Sequence, residues 1–162
     1  MNDKYFIKRA IELSIKAAKK GADPFGAVLV FNNQIVAESS DTSVSQSDPT
    51  QHAELSLISK YCKKNKFFSL EGYTLYSSTE PCVMCSGAIH WAKISRVVFS
   101  VPQELLQKHS KGKIKPSCES MINTGSKKID IIGSILVGEG LKVFEEYPLI
   151  PKLERHKKLF KK

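Results

Sequence analysis

The spacing of apolar and polar positions changes period several times along this chain, and each change marks an element. Over residues 4–20, Phe6, Ile7, Ala10, Ile11, Ser14, Ile15 and Ala18 recur at helical spacing, while Lys8, Glu12, Lys16 and Lys19 fall mostly opposite. That pattern predicts an amphipathic helix. Gly21 then stands where a C-cap glycine is expected. Residues 26–31 and 34–38 read as two strands joined by Asn32-Asn33, a two-residue hairpin turn. The polar, proline-containing run 39–49 reads as a loop. Asp48-Pro49-Thr50-Gln51 predicts a helix start, with Asp48 as cap, Pro49 in the first position and Gln51 closing a capping box. This helix is expected to run to about Cys62.

Tyr73 to Ser77 has strand character, Pro81 to about Trp91 helix character, and Arg96 to Ser100 strand character again. A strand, a helix and a strand in that order imply a right-handed parallel crossover. The opening hairpin adds antiparallel pairing, so the sheet should be mixed. Residues 101–125 are lysine-rich and weakly periodic, and read as irregular. Ile129–Val137 predicts a last strand, and residues 139–147 and 151–161 predict helices. There is no internal repeat or low-complexity tract, so residues 1–162 are expected to form a single domain.

Composition narrows the class. The chain is 41% hydrophobic and 25% charged, as expected for a soluble globular protein. No apolar run approaches the ~20 residues of a membrane span. The polar start lacks the apolar core of a signal peptide, which predicts a cytoplasmic protein. The net charge is +9, yet of 25 basic residues only Arg9, Arg96 and Arg155 are arginine. Arginine is the side chain suited to bidentate phosphate and base contacts. The charge therefore reads first as a solvated lysine surface. Of the four cysteines, Cys82 and Cys85 form a close pair that reads as a metal or redox site.

The candidate chemistry lies in His52-Ala53-Glu54 and in Pro81-Cys82-Val83-Met84-Cys85, each at a predicted helix amino end. The i, i+3 spacing of Cys82 and Cys85 puts both sulfurs on one helix face. The positive end of the helix dipole favours their thiolates, the form that binds zinc. With His52 as third ligand, one tetrahedral position stays open, which is the mark of a catalytic zinc. Glu54 beside it is placed to move protons. Two other readings of the cysteine pair exist: a thioredoxin-like redox pair, and a closed structural site completed by Cys62 or Cys118. The redox pair lacks its usual preceding aromatic residue, and closed sites usually bring two close pairs.

These residues and their neighbours resemble the cytidine deaminase-like superfamily over roughly residues 4–100. The order His-x-Glu, then Pro-Cys-x-x-Cys, is that of the zinc deaminases, in which the glutamate is not a ligand. Pro24-Phe25-Gly26-Ala27-Val28, Asp48 to Glu54, and Gly87 to Ala92 look most like bacterial guanine deaminases. The tRNA adenosine deaminases share Asp-Pro-Thr and His-Ala-Glu. The resemblance implies an α/β fold, a three-layer α/β/α sandwich around a five-stranded mixed sheet, and a homodimer. It implies one zinc per chain on His52, Cys82 and Cys85, with Glu54 as proton shuttle. It also implies a substrate pocket that includes Phe25, Asp41, Ala53 and Trp91. Relatives carry a base-binding Asn where this chain, counted back from His52, has Asp41. A carboxylate only accepts, so Asp41 implies a substrate edge rich in N–H donors or a protonated carboxyl. The plainer reading is that Asp41 caps its loop. Beyond residue 100 the guanine enzymes add an acidic, Phe-containing segment; here Glu104 and Glu119 are the candidates for a second acid. The Ile129–Tyr147 ending looks more like that of the tRNA enzymes.

The expected activity is hydrolytic deamination of a small nucleobase, guanine or a guanine-like heterocycle. The alternatives are a tRNA wobble-adenosine deaminase gripping RNA with the basic residues 152–162, a cytosine or nucleoside deaminase, and a zinc-stabilised binding module. Glu54 speaks against the last, because a structural zinc site has no need of it.

Overall fold

The computed structural model describes residues 2–109, 116–124 and 128–160. Helix α1 (Asp3–Lys19) begins at Asn2, whose side chain accepts from the Tyr5 backbone N–H at 3.2 Å. It ends where Gly21 turns left-handed, at φ +79°. Strands β1 (Gly26–Phe31) and β2 (Gln34–Ser40) follow. Asn32 and Asn33 both have positive φ, the conformation that a twisted two-residue hairpin demands. Strand β3 (Thr74–Thr79), helix α3 (Val83–Trp91) and strand β4 (Arg96–Val101) form the expected crossover. The sheet order is β2-β1-β3-β4-β5, with β5 being Asp130–Ile132. Strand β1 runs antiparallel to β2 and β3, while β3, β4 and β5 are parallel. The mixed five-stranded sheet of the expected fold is thus present.

The period of two along the strands sorts the core into two layers. Ala27, Leu29, Leu75, Val97 and Phe99 pack with Leu57 and Ile58 of α2 (Ala53–Asn65), Ile89 of α3 and Ile122 of α5 (Cys118–Ile122). Val28, Val30, Tyr76 and Val98 face the other way, onto Phe6, Ile7, Ala10 and Ile11 of α1 and Val143 of α6 (Val137–Glu146). This is a three-layer α/β/α sandwich. At Gly26 the sheet backbone lies against α1, so that an added Cβ would run into the Ala10 carbonyl oxygen and lie 2.7 Å from the Ser14 nitrogen. Those neighbours are backbone and cannot rotate away. Gly26→Ala is expected to destabilise the fold by about 1–3 kcal/mol. A thermal melt should register this as a fall of several degrees in Tm; an unchanged Tm would mean that α1 can slide.

Several boundaries differ from the sequence reading. The second helix does not start at Asp48. Asp48 accepts from the Thr50 N–H (2.8 Å), the Thr50 hydroxyl (2.6 Å) and the Gln51 amide (2.8 Å), building a tight turn that ends the loop. The helix begins only at Ala53, with His52 as N-cap, and runs past Cys62 to Asn65. The last strand is three residues long, because Ser134 and Leu136 take left-handed backbone and the chain turns into α6 at Val137. Within the supposedly irregular stretch lie a short helix α4 (Gln103–Leu106), a 3-10 turn (Gln107–His109) and α5. Their lengths are below what periodicity can detect. Residues 110–115 and 125 of that stretch lie outside the described residues, as does Lys161 of the last helix, α7 (Lys152–Phe160). No helix among the described residues is long and apolar enough to cross a membrane.

Candidate active site

The site forms at the carboxyl end of β3, where the amino ends of α2 and α3 meet. His52 and Cys82 are the N-cap residues of these two helices. Both have extended backbone, and the His52 side chain makes no capping bond to its own helix. An N-cap side chain normally satisfies the free N–H groups behind it. Here the two are instead turned toward each other, with His52 Nδ1 3.5 Å from Cys82 Sγ. Cys85, one turn into α3, completes the group, and the three ligand atoms lie within 4.8 Å of one another. Cys62 and Cys118 are not part of this cluster, so the closed four-ligand alternative has no fourth cysteine here.

The donor set of one imidazole nitrogen and two sulfurs is one that zinc takes. The electrostatics fit as well. Cys82 is drawn down to about 3, chiefly by a hydrogen bond from the Cys85 thiol and further by His52, against the cost of burial. Cys85 is pushed up by the same bond, then by burial and by Glu54. Cys82 thus favours its thiolate while Cys85 keeps its proton. A divalent cation in the proton's place stabilises both thiolates at once. His52 is raised by its bond to Cys82.

Glu54 lies two residues past His52, in the first turn of α2, and is 5% exposed. One carboxylate oxygen accepts from the Ser77 hydroxyl of β3 at 2.9 Å, and the other from the Cys85 thiol at 3.4 Å. Burial is the main cause that raises its pKa above the ordinary carboxylate range. A carboxyl so placed can exchange a proton with whatever stands next to the cluster.

The cluster opens into a cavity of about 760 Å³ lined by Phe25, His52, Glu54, Thr79, Glu80, Cys82, Gln103, His109 and residues 149–152, among others. Phe25 reaches it, and its ring lies 5.9 Å from that of Phe144. The other residues expected in the pocket are placed elsewhere. Trp91 does not line the cavity: it sits at the far end of α3 and is 80% exposed, because nine residues of helix carry it away from Cys82. Ala53 is fully buried in the core beneath the site. Asp41 is buried and turned into its own loop, where its carboxylate takes hydrogen bonds from Ser43 and Lys152. Glu104 and Glu119 are exposed and line no part of the cavity.

Sequence reasoning missed Glu80, which fixes the missing wall. Its carboxylate accepts from the backbone N–H groups of Gln103 (2.9 Å) and Cys118 (2.7 Å), tying both to the end of β3. Its place next to Pro81-Cys82 was the available signal. Lys152 and Ile150 were also missed, and nothing near the motifs points to residues 70 positions further on.

Comparison with known proteins agrees with this geometry. Residues 1–101 match the family model described as the cytidine and deoxycytidylate deaminase zinc-binding region. A tRNA-specific adenosine deaminase of Buchnera aphidicola subsp. Baizongia pistaciae is 40% identical over 140 residues, 85% of this chain and 83% of that protein. A probable cytosine deaminase of Schizosaccharomyces pombe is 35% identical over 144 residues, 86% and 88% of the two chains. Among solved structures, guanine deaminase from Bacillus subtilis superposes with a TM-score of 0.66 at 30% identity, covering 91% of this chain and 94% of its own. The relatives divide over the base but not over the reaction, and the chain belongs to the cytidine and deoxycytidylate deaminase family of zinc-binding hydrolytic deaminases.

Proposed function

We propose that the protein deaminates a small free nucleobase, with guanine or a guanine-like aminopurine as the substrate class. The observation that carries this reading is the lining: Leu149, Ile150, Pro151 and Lys152 border the cavity beside His52, Glu54 and Cys82, on ground that the flanking nucleotides of an RNA-borne base would have to share. A base presented by RNA arrives attached to ribose and flanking nucleotides, and needs that side open. Among the lining residues, Glu54 and Glu154 carry carboxylate acceptors. Guanine, with N–H groups on its ring and its exocyclic amine, offers donors to match.

His52, Cys82 and Cys85 would hold one zinc ion. Bound there, zinc supplies the Lewis acidity that makes water a nucleophile near neutral pH. Glu54 takes a proton from the attacking water and passes it to the ring nitrogen beside the reacting carbon; it then takes the proton of the added hydroxyl and delivers it to the amine. The C–N bond breaks as the carbonyl forms, and the amine leaves as ammonia. Ser77 holds the Glu54 carboxyl in place through its hydroxyl. Phe25 offers an aromatic edge or face to the base, as aromatic rings do to bases of any kind. A cytoplasmic homodimer of single-domain chains belongs to the same reading.

The second reading, deamination of adenosine in tRNA, is favoured by the basic residues Lys157 and Lys158 on α7, the helix whose start borders the cavity. Ammonia release from guanine, adenine, cytosine, their ribonucleosides and an anticodon stem-loop separates the two. Guanine is expected to give the highest kcat/KM. Turnover confined to the stem-loop would replace the free-base reading with the RNA one.

A further inference from the structure

Beside the three candidate ligands stands a carboxylate that the proposed reaction does not use. Glu80 follows directly on β3 and lies two residues before Cys82. Its backbone N–H prolongs the sheet by donating to the Val101 carbonyl of β4 at 2.8 Å. Its side chain gathers two other segments. One oxygen accepts from the Gln103 N–H at 2.9 Å and the other from the Cys118 N–H at 2.7 Å. These are the first residues of α4 and α5, where backbone N–H groups have no carbonyl of their own helix to bond.

Gln103 closes a circuit back to the site. Its side-chain amide donates to the Pro81 carbonyl at 2.9 Å, and the Ser86 hydroxyl of α3 donates to the same oxygen at 3.3 Å. That carbonyl belongs to the peptide that leads into Cys82, so the plane of this peptide is held from two sides. The plane matters because Cys82 has extended backbone and lies outside the helical ladder of α3. Its sulfur must nonetheless meet His52 Nδ1, which comes from another helix start 30 residues away and stands at 3.5 Å.

We infer that Glu80 is a positioning residue for the metal: through Gln103 and Pro81, its carboxylate holds Cys82 where His52 and Cys85 can share an ion with it. This inference rests on the zinc site proposed above. Groups that orient metal ligands without touching the ion are typically worth 10–100-fold in metal affinity. The competing role for Glu80 is a staple that keeps α4 and α5 on the fold and leaves the metal indifferent.

The test challenges zinc-loaded, full-length protein with a chromophoric chelator to obtain the zinc dissociation constant, and compares thermal melts of the loaded and chelator-stripped forms. Glu80→Gln keeps the shape of the side chain but turns one acceptor into an amide NH2 group facing a backbone N–H. It is expected to weaken zinc binding by at least about tenfold. Its loaded form should therefore lose more in Tm than its stripped form, since bound zinc raises Tm by mass action. Gln103→Leu removes only the amide that reaches Pro81 and leaves the backbone N–H to Glu80. It should weaken zinc binding to a similar degree, and the double variant should lose little beyond either single one, because both residues act on one peptide. Where Glu80→Gln does not accumulate as folded protein, Gln103→Leu carries the test alone. Unchanged zinc affinity in the variants, with Tm lowered equally in both forms, overturns the positioning role and leaves the staple. Wild-type protein that takes up no zinc overturns the zinc site itself, and the inference with it.

Discussion

Glu54→Gln is expected to retain bound zinc and the fold while losing nearly all turnover, a fall in kcat of about 10²–10⁴-fold or more. The amide matches the carboxyl in shape, and its carbonyl oxygen can still accept from the Ser77 hydroxyl, which now meets Glu54 at 2.9 Å. What the amide cannot do is carry a proton. In the proposed reaction Glu54 handles protons more than once: at the water, at the ring nitrogen and at the leaving amine. The loss should therefore appear in kcat rather than in KM alone. Zinc content and thermal stability of the variant separate this outcome from simple misfolding. Retention of most of the wild-type rate would remove Glu54 from the mechanism.

Cys82→Ala is expected to lower bound zinc from about one per chain towards zero, because two remaining ligands do not make a stable tetrahedral site. The structure makes Cys82 the most exacting of the three positions. Its sulfur is the one that Cys85 and His52 both draw towards the thiolate form. Metal analysis after dialysis measures the effect directly. A second readout is stability: an ion bound to the folded chain raises its melting temperature by mass action. Added zinc should therefore raise the Tm of wild type but not of Cys82→Ala. Wild-type zinc content in the variant would mean that the metal sits elsewhere.

The elements that the sequence made legible are those whose causes lie within a few residues. The Asn32-Asn33 hairpin follows from two residues that tolerate positive φ. The alternation along β1 sorts Ala27 and Leu29 from Val28 and Val30 onto opposite layers. The i, i+3 cysteines and the His-x-Glu pair were visible as chemistry before any fold was known. The mistaken start of α2 has the same origin: Asp48-Pro49-Thr50-Gln51 carries the residues of a cap, but its side chains close a turn on themselves, and the next candidate, His52, takes the cap position.

The roles of Asp41 and Trp91 could not be read in this way. Each was placed by resemblance in a pocket whose other wall comes from distant sequence. Trp91 is nine residues of helix from Cys82 and emerges on the surface. Asp41 meets a lysine 111 residues away. The sequence alone determined the local periods, the turn chemistry and the identity of the reacting groups, since all of these depend on neighbours in the chain. Only the tertiary structure decided that His52, Cys82 and Cys85 come together, that Glu54 is buried against Ser77, and that Lys152 and Arg155 of α7 pair with Asp23 and Asp41. Those facts depend on burial and on pairing between segments 23 to 134 residues apart, and no local pattern encodes which buried carboxylate a distant lysine will reach.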